Sequence, residues 1–88
     1  MKIYKYELPS ARGVFRMPMH EIQYTIHVEV IGQIPFMWAV VDDEKPQIYT
    51  IRACHTGETL PPHEVILRIG TAVLDNGNYV LHYFRETE

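Results

Sequence analysis

A cysteine stands directly beside a histidine in this chain, and such a pair could do nucleophilic chemistry. A thiolate needs a neighbouring base or cation, and Cys54 is followed at once by His55. Cys54 also ends a run rich in β-forming residues, and neighbouring residues of a strand point to opposite faces of the sheet. The two side chains are therefore poorly placed to share a proton. The sequence favours a small buried hydrophobe at Cys54 over a catalytic nucleophile.

Histidines and carboxylates could also hold a metal ion, and the chain has five histidines. Zinc sites usually contain closely spaced ligand pairs such as Cys-x₂-Cys or His-x₃-His, and none occurs here. His27 and Glu29 would share one face of a strand and could bind a metal with a third ligand. The acidic run Asp42–Glu44 could chelate a hard cation, although such a run before Lys45 and Pro46 is more typical of a solvated loop. We therefore predict no catalytic residue, no metal and no cofactor.

Length and charge limit the classes of partner. The 88 residues suffice for one domain, 1–88, and 47% of them are apolar, which is enough for an ordinary core. The net charge is −3, and the eight Lys and Arg residues are dispersed. Binding to a nucleic-acid backbone or to an anionic membrane needs a cluster of basic residues. We therefore predict that neither is a partner.

Features that mark export are not visible in the sequence. The single cysteine cannot form an internal disulfide, and the start MKIYKYELPS has no apolar segment of a signal peptide. The longest apolar run, residues 35–41, is much shorter than a membrane span. These features predict a cytoplasmic protein.

The stretch 22–42 contains the strongest structural pattern. Apolar residues alternate with polar ones over nine residues, which predicts a half-buried strand with Ile22, Tyr24, Ile26, Val28 and Val30 on one face. Gly32 supplies positive φ, and the alternation resumes in a second arm with Phe36, Trp38 and Val40. A hairpin between the two arms follows.

The other segments complete an all-β pattern. Residues 42–46 read as a polar turn, and the sequence 75–78, Asp-Asn-Gly-Asn, predicts a type I′ hairpin turn. Gly70 interrupts an apolar run, which predicts a bulge or bend. Seven strand candidates can be assigned: 2–8, 14–17, 22–31, 36–42, 47–54, 65–74 and 79–85. The predicted fold is all-β, a small antiparallel sandwich or partly open barrel of about six or seven strands with little or no helix.

Two surface features could bind a protein. The segment 55–63, HTGETLPPH, is polar and stiffened by two prolines, and such loops on rigid sheets commonly carry recognition. The residues predicted for protein binding are His55, Thr56, Glu58, Thr59, Leu60, Pro61, Pro62 and His63. The chain is also rich in Tyr, with one Trp. Part of this set must fill the core, and any excess would suit an interface.

Several short motifs, in order along most of the chain, resemble a family of short tailed-bacteriophage and prophage proteins classed as a domain of unknown function. They are IYKYELP (3–9), Met17-Pro18, MWAVVD (37–42), TGETLP (56–61) and LHYF (81–84). The resemblance implies a phage origin and carries over no site residue. The chain departs from the family pattern at Cys54-His55, where small residues are expected, at Asp43, where proline is expected, and at Glu58, where histidine is expected.

Three hypotheses for function remain. The first is a phage-encoded interaction module that binds or modulates a host protein, such as a defence protein, and that could form a homo-oligomer. The second is a virion or assembly accessory with a structural role. The third is a small metal- or Cys-dependent enzyme.

Overall fold

Five antiparallel strands curl into a half-barrel in the computed structural model, which describes residues 1–60, 62 and 67–87. The strands are β1 (Lys2–Glu7), β2 (Gly13–Ile31), β3 (Ile34–Cys54), β4 (Leu67–Leu74) and β5 (Tyr79–Thr87). Residues Asp75–Gly77 form the turn between β4 and β5, with positive φ at all three residues. The all-β prediction is confirmed, and of the two predicted architectures the structure has the partly open barrel. The predicted start of the fourth strand at residues 65 and 66 lies outside the described residues.

The long strand β3 organises the sheet. β2 pairs with β3 from the hairpin at Ile31–Ile34 to Gly13–Ala53, whereas β1 pairs with residues 36–41 of β3 and β5 with residues 49–54. β4 then pairs with β5, which gives the strand order β1-β3-β5-β4 with β2 on β3.

Two pairs of predicted strands are each one continuous strand, so that seven candidates become five. The predicted polar turn at 42–46 is wrong, because the backbone stays extended there. Glu21 pairs with Asp42 and His20 pairs with Pro46, so that residues 43–45 of β3 have no partners on β2. These three residues form a bulge in β3. Cations along this stretch offset the repulsion between the acids: Lys2 Nζ lies 3.1 Å from Asp43, and Lys45 Nζ lies 3.7 Å from Asp42.

The predicted face of the long alternating strand is wrong in its middle. Register shifts at Ile22/Tyr24 and Thr25/His27 insert one extra residue each, and every extra residue reverses which side chains point inward. Ile22 is buried and Val28 packs on the core, whereas Tyr24 and Ile26 are exposed.

Both predicted hairpins are present. Gly32 and Gln33 form a two-residue turn with φ of 58° and 66°, as a type I′ turn requires. The second turn is not the predicted two-residue type I′ turn, because the last strand pair, Leu74–Tyr79, leaves a four-residue loop with positive φ at Asp75 as well. The Asp75 N–H donates to Gln33 Oε1 at 3.1 Å, which joins the two hairpin tips.

The core lies inside the curl. Met37, Ala39 and Val41 of β3 are fully buried, and their alternate neighbours face outward. Buried side-chain nitrogen and oxygen atoms of the described residues all have hydrogen-bond partners; for example, the Tyr49 hydroxyl accepts from the Ile22 N–H at 2.8 Å. The core consists of Leu8, Met19, Ile22, Met37, Ala39, Val41, Tyr49, Ile51, Ala53, Ile69, Ala72, Leu74, Leu81 and Tyr83.

Candidate functional site

The segment that follows β3 is a loop held by one carboxylate, and residues His55–Leu60 are called the clamped loop below. Glu58 accepts two hydrogen bonds from the Arg12 guanidinium, both at 2.8 Å, and a third from the His55 backbone N–H at 2.7 Å. The Glu58 N–H in turn donates to the His55 carbonyl at 3.3 Å. Gly57, with φ of 92°, allows the reversal between them. The loop is therefore fixed from both sides of its turn.

The charge of Glu58 is strongly stabilised. The Arg12 guanidinium and the His55 N–H lower the pKa of this carboxyl to about 2. Glu58 therefore serves to hold the loop. Arg12 lies 46 residues earlier in the chain, and nothing in the sequence pattern pointed to this pair.

A histidine of β5 attaches the clamped loop to the β4–β5 hairpin. His82 Nε2 lies 2.8 Å from the Thr56 hydroxyl, and His82 Nδ1 lies 2.9 Å from the Thr71 hydroxyl. A neutral imidazole donates from one nitrogen and accepts at the other, so two hydroxyls can satisfy both. No pattern in the sequence indicated a role for His82, since it is a single histidine in an alternating strand and has no catalytic or metal-binding motif around it.

A cleft of about 220 Å³ opens between the clamped loop and β5. Leu60 and Phe84 contribute its apolar walls, and His82 and Thr56 contribute polar groups. Of the eight residues predicted for protein binding, Thr56, Thr59, Leu60 and Pro62 are exposed, whereas His55 and Glu58 are partly buried. Pro61 and His63 lie outside the described residues.

Cys54 is buried, as the sequence predicted, although it lies outside the core cluster and lines the cleft beside the clamped loop. Its side chain is 4% exposed, and burial raises the pKa of the thiol. The His55 ring lies edge-on against Tyr79, with ring centroids 5.0 Å apart. Cys54 and His55 therefore have different surroundings: Cys54 is buried, and the His55 ring packs against Tyr79.

In the two candidate metal sites, carboxylates lie beside a histidine or a lysine. His27 and Glu29 share one face as expected, with Nε2 and Oε1 3.7 Å apart, and both are exposed. Asp42 and Asp43 are instead paired with Lys45 and Lys2. In the described part of the chain, no three His, Cys, Asp or Glu side chains come together as a metal site would require.

The outer surface of β1, β3 and β2 forms a second candidate surface, called the outer aromatic face below. Strand pairing arranges this face in rows across the sheet. Each three-residue row has a β3 residue at its centre, and the row at the hairpin has two residues. The rows are Ile3–Val40–Tyr24, Lys5–Trp38–His27, Glu7–Phe36–Glu29 and, at the hairpin, Ile34–Ile31. Ile3 is 64% exposed and Tyr24 60% exposed. The alternation in the sequence did not indicate this face, because a bulge of β2 is needed to bring Tyr24 to it.

Comparison with known proteins places the chain in a family. A family model described as a domain of unknown function (DUF7352) matches residues 1–88. The chain belongs to that family. The predicted resemblance to a domain of unknown function is thus confirmed, and the match includes both surfaces described above. No curated protein and no solved structure matches the chain. Among the residues that the structure describes, no helix is long and apolar enough to cross a membrane.

Proposed function

We propose that this protein is a small phage-encoded interaction module that binds or modulates a host protein in the bacterial cytoplasm, and that the clamped loop is the contact. The proposal rests on the fixation of the loop by Glu58. Its carboxylate accepts hydrogen bonds from the Arg12 guanidinium and the His55 backbone N–H at 2.7–2.8 Å. The phage origin rests on the motifs of the resemblance, from IYKYELP to LHYF.

A fixed loop favours binding because less conformational entropy is lost when the complex forms. The cleft beside the loop is large enough to hold an apolar side chain between Leu60 and Phe84. Thr56 and Thr59 are exposed near it and offer hydroxyls for a polar rim. The net charge of −3 and the scattered basic residues favour a protein as the partner.

The experiment is an affinity capture from lysate of the bacterial host, followed by binding measurements with the purified protein that is captured. Leu60→Asp places a charge in the cleft and is expected to abolish binding. Arg12→Ala removes the clamp and is expected to weaken binding although Arg12 need not touch the partner. Ile48→Asp is the matched control, because Ile48 is likewise exposed but lies beside Pro18, outside the loop.

Capture of nothing but the protein itself would contradict the proposal. Equal binding by the Leu60→Asp and Ile48→Asp variants would show that the partner uses another surface, and the clamped loop would then lose its assigned role.

A structural role in the virion is the second candidate, and the strand edges favour it. Within the described residues, β1 pairs only with β3, and β4 pairs only with β5. β1 therefore has one edge that could extend into a neighbouring subunit, whereas part of β4 lies against β2. Mass spectrometry of purified phage particles tests this role, which requires the protein to be present in them.

A further inference from the structure

The outer aromatic face carries its charges in an order that suits a copy of itself. Glu7 and Glu29 lie on either side of Phe36, and in the next row Lys5 and His27 lie on either side of Trp38. The row with the two acids is thus adjacent to the row with the lysine and the histidine, with an aromatic side chain in the middle of each. Lys5 Nζ lies 4.6 Å from the Phe36 ring centroid, and the Phe36 and Trp38 rings are 6.4 Å apart.

We propose that this face binds a second copy of the chain, face to face, about a twofold axis that runs across the strands between the Phe36 row and the Trp38 row. Such an axis exchanges the two rows. Lys5 then faces Glu7 of the second copy, and His27 faces Glu29 of the second copy. The same contacts form twice, as in any isologous interface.

Other twofold axes bring like charges together. An axis along the strands places Glu7 opposite Glu29 of the second copy, and an axis through the Phe36 row places Glu7 opposite itself. Like charges in direct opposition disfavour an interface. Of these three axes, the order of charges therefore favours the one between the Phe36 row and the Trp38 row.

The apolar residues follow the same symmetry. Phe36 lies on Trp38 of the second copy, and the hairpin residue Ile34 lies on Val40 of the second copy. Ile31 likewise lies on Tyr24, which is 60% exposed in the single chain. Exposed aromatic and aliphatic side chains are thereby removed from water at the centre of the interface, with polar pairs on both sides.

The size of the face indicates a modest affinity. Rows on one face of a sheet lie about 6.8 Å apart and strands about 4.8 Å apart. Two such faces together bury on the order of 1,000 Å², near the lower end of specific interfaces. The strands of the two copies run nearly parallel or antiparallel in aligned sheet packing, which the proposed axis satisfies.

The test uses charge exchange between residues 5 and 7, measured by sedimentation velocity on the pure protein over a range of concentrations. Lys5→Glu sets two acids against each other, and Glu7→Lys sets two lysines against each other. Each variant alone is expected to dimerise at least about tenfold more weakly than the wild type. An equimolar mixture of the two variants is expected to form a mixed dimer, because each contact between positions 5 and 7 again joins a glutamate to a lysine.

The double variant K5E/E7K is a second way to restore the dimer, because two copies of it again place a glutamate opposite a lysine. Glu44→Lys is the matched control: it changes the charge by the same amount as Glu7→Lys but lies in the β3 bulge, outside the rows, and should dimerise like the wild type. Trp38 is the only tryptophan, so its fluorescence should shift to shorter wavelength as the dimer forms.

A wild-type protein that stays monomeric up to about 1 mM would overturn the proposal. A dimer that is insensitive to both single variants would do so as well, since it would use a different surface. Single variants that weaken the dimer while the mixture and the double variant stay monomeric would refute the proposed axis.

Discussion

Gly70 of β4 lies against the Val28 side chain of β2, so closely that a Cβ atom at residue 70 would come within 2.7 Å of Val28 Cγ2. These two strands are not hydrogen-bonded neighbours in the sheet. Their contact is where the curled sheet comes nearest to closing. The predicted irregularity at Gly70 is confirmed, since the register shifts between Arg68 and Gly70, and the structure adds the reason that glycine is needed there.

Replacement of Gly70 by alanine should therefore destabilise the fold by about 1–3 kcal/mol, the usual cost of an overpacked contact. Urea unfolding at one fixed protein concentration measures the effect. Val28→Ala is the partner variant, and in the double variant the alanine at 70 should cost less because the clash is relieved. Strictly additive effects of the two changes would show that Val28 does not limit the space at residue 70.

The buried hydroxyl of Tyr49 supplies a second test. Tyr49→Phe removes the acceptor for the Ile22 N–H, which lies 2.8 Å away at the first bulge of β2. A buried N–H without a partner costs about 1–3 kcal/mol, and we expect a loss of that size in the free energy of unfolding. Tyr24→Phe is the control at a protein concentration too low for the proposed dimer, because Tyr24 is exposed in the single chain and surface changes stay within about 0.5 kcal/mol. Equal effects of the two variants would contradict the role given to Tyr49.

Acid should loosen the clamped loop only at very low pH. The Glu58 carboxyl has a pKa of about 2 in the folded protein, against an ordinary value of 4.5. Because the folded pKa is the lower one, the clamp contributes its full stability above about pH 4.5 and loses it as the pH falls towards 2. The His55 amide proton, which bonds to Glu58, should report a midpoint near pH 2 in NMR spectra. In Arg12→Ala the midpoint should rise towards 4.5, and an unchanged midpoint would show that Arg12 does not lower this pKa.

Cys54 should be unreactive in the native protein. Its burial and raised thiol pKa both oppose thiolate formation at an accessible surface. We expect alkylation by iodoacetamide at pH 8 to be at least about a hundredfold slower than in urea, because reaction requires local opening. Intact-mass measurements over time follow both rates. Comparable rates in the two conditions would return Cys54 to consideration as a nucleophile.

The class of the fold and the positions of the two hairpin turns follow from the sequence alone. Alternation over the strand segments, Gly32 at the first hairpin and Asn76-Gly77 at the second were sufficient, because pleating and positive φ are local properties of a few residues. The sequence also predicted the burial of Cys54.

Tertiary structure decided which side chains meet. Asp42 and Pro46 look like the limits of a turn, but pairing with Glu21 and His20 keeps the chain extended between them. Bulges that depend on the partner strand turned Tyr24 outward, so the outer aromatic face could not be derived from alternation alone. Arg12 reaches Glu58 across 46 residues. Contacts of that kind depend on how the sheet curls, and the curl is set by all the strands together rather than by any one segment.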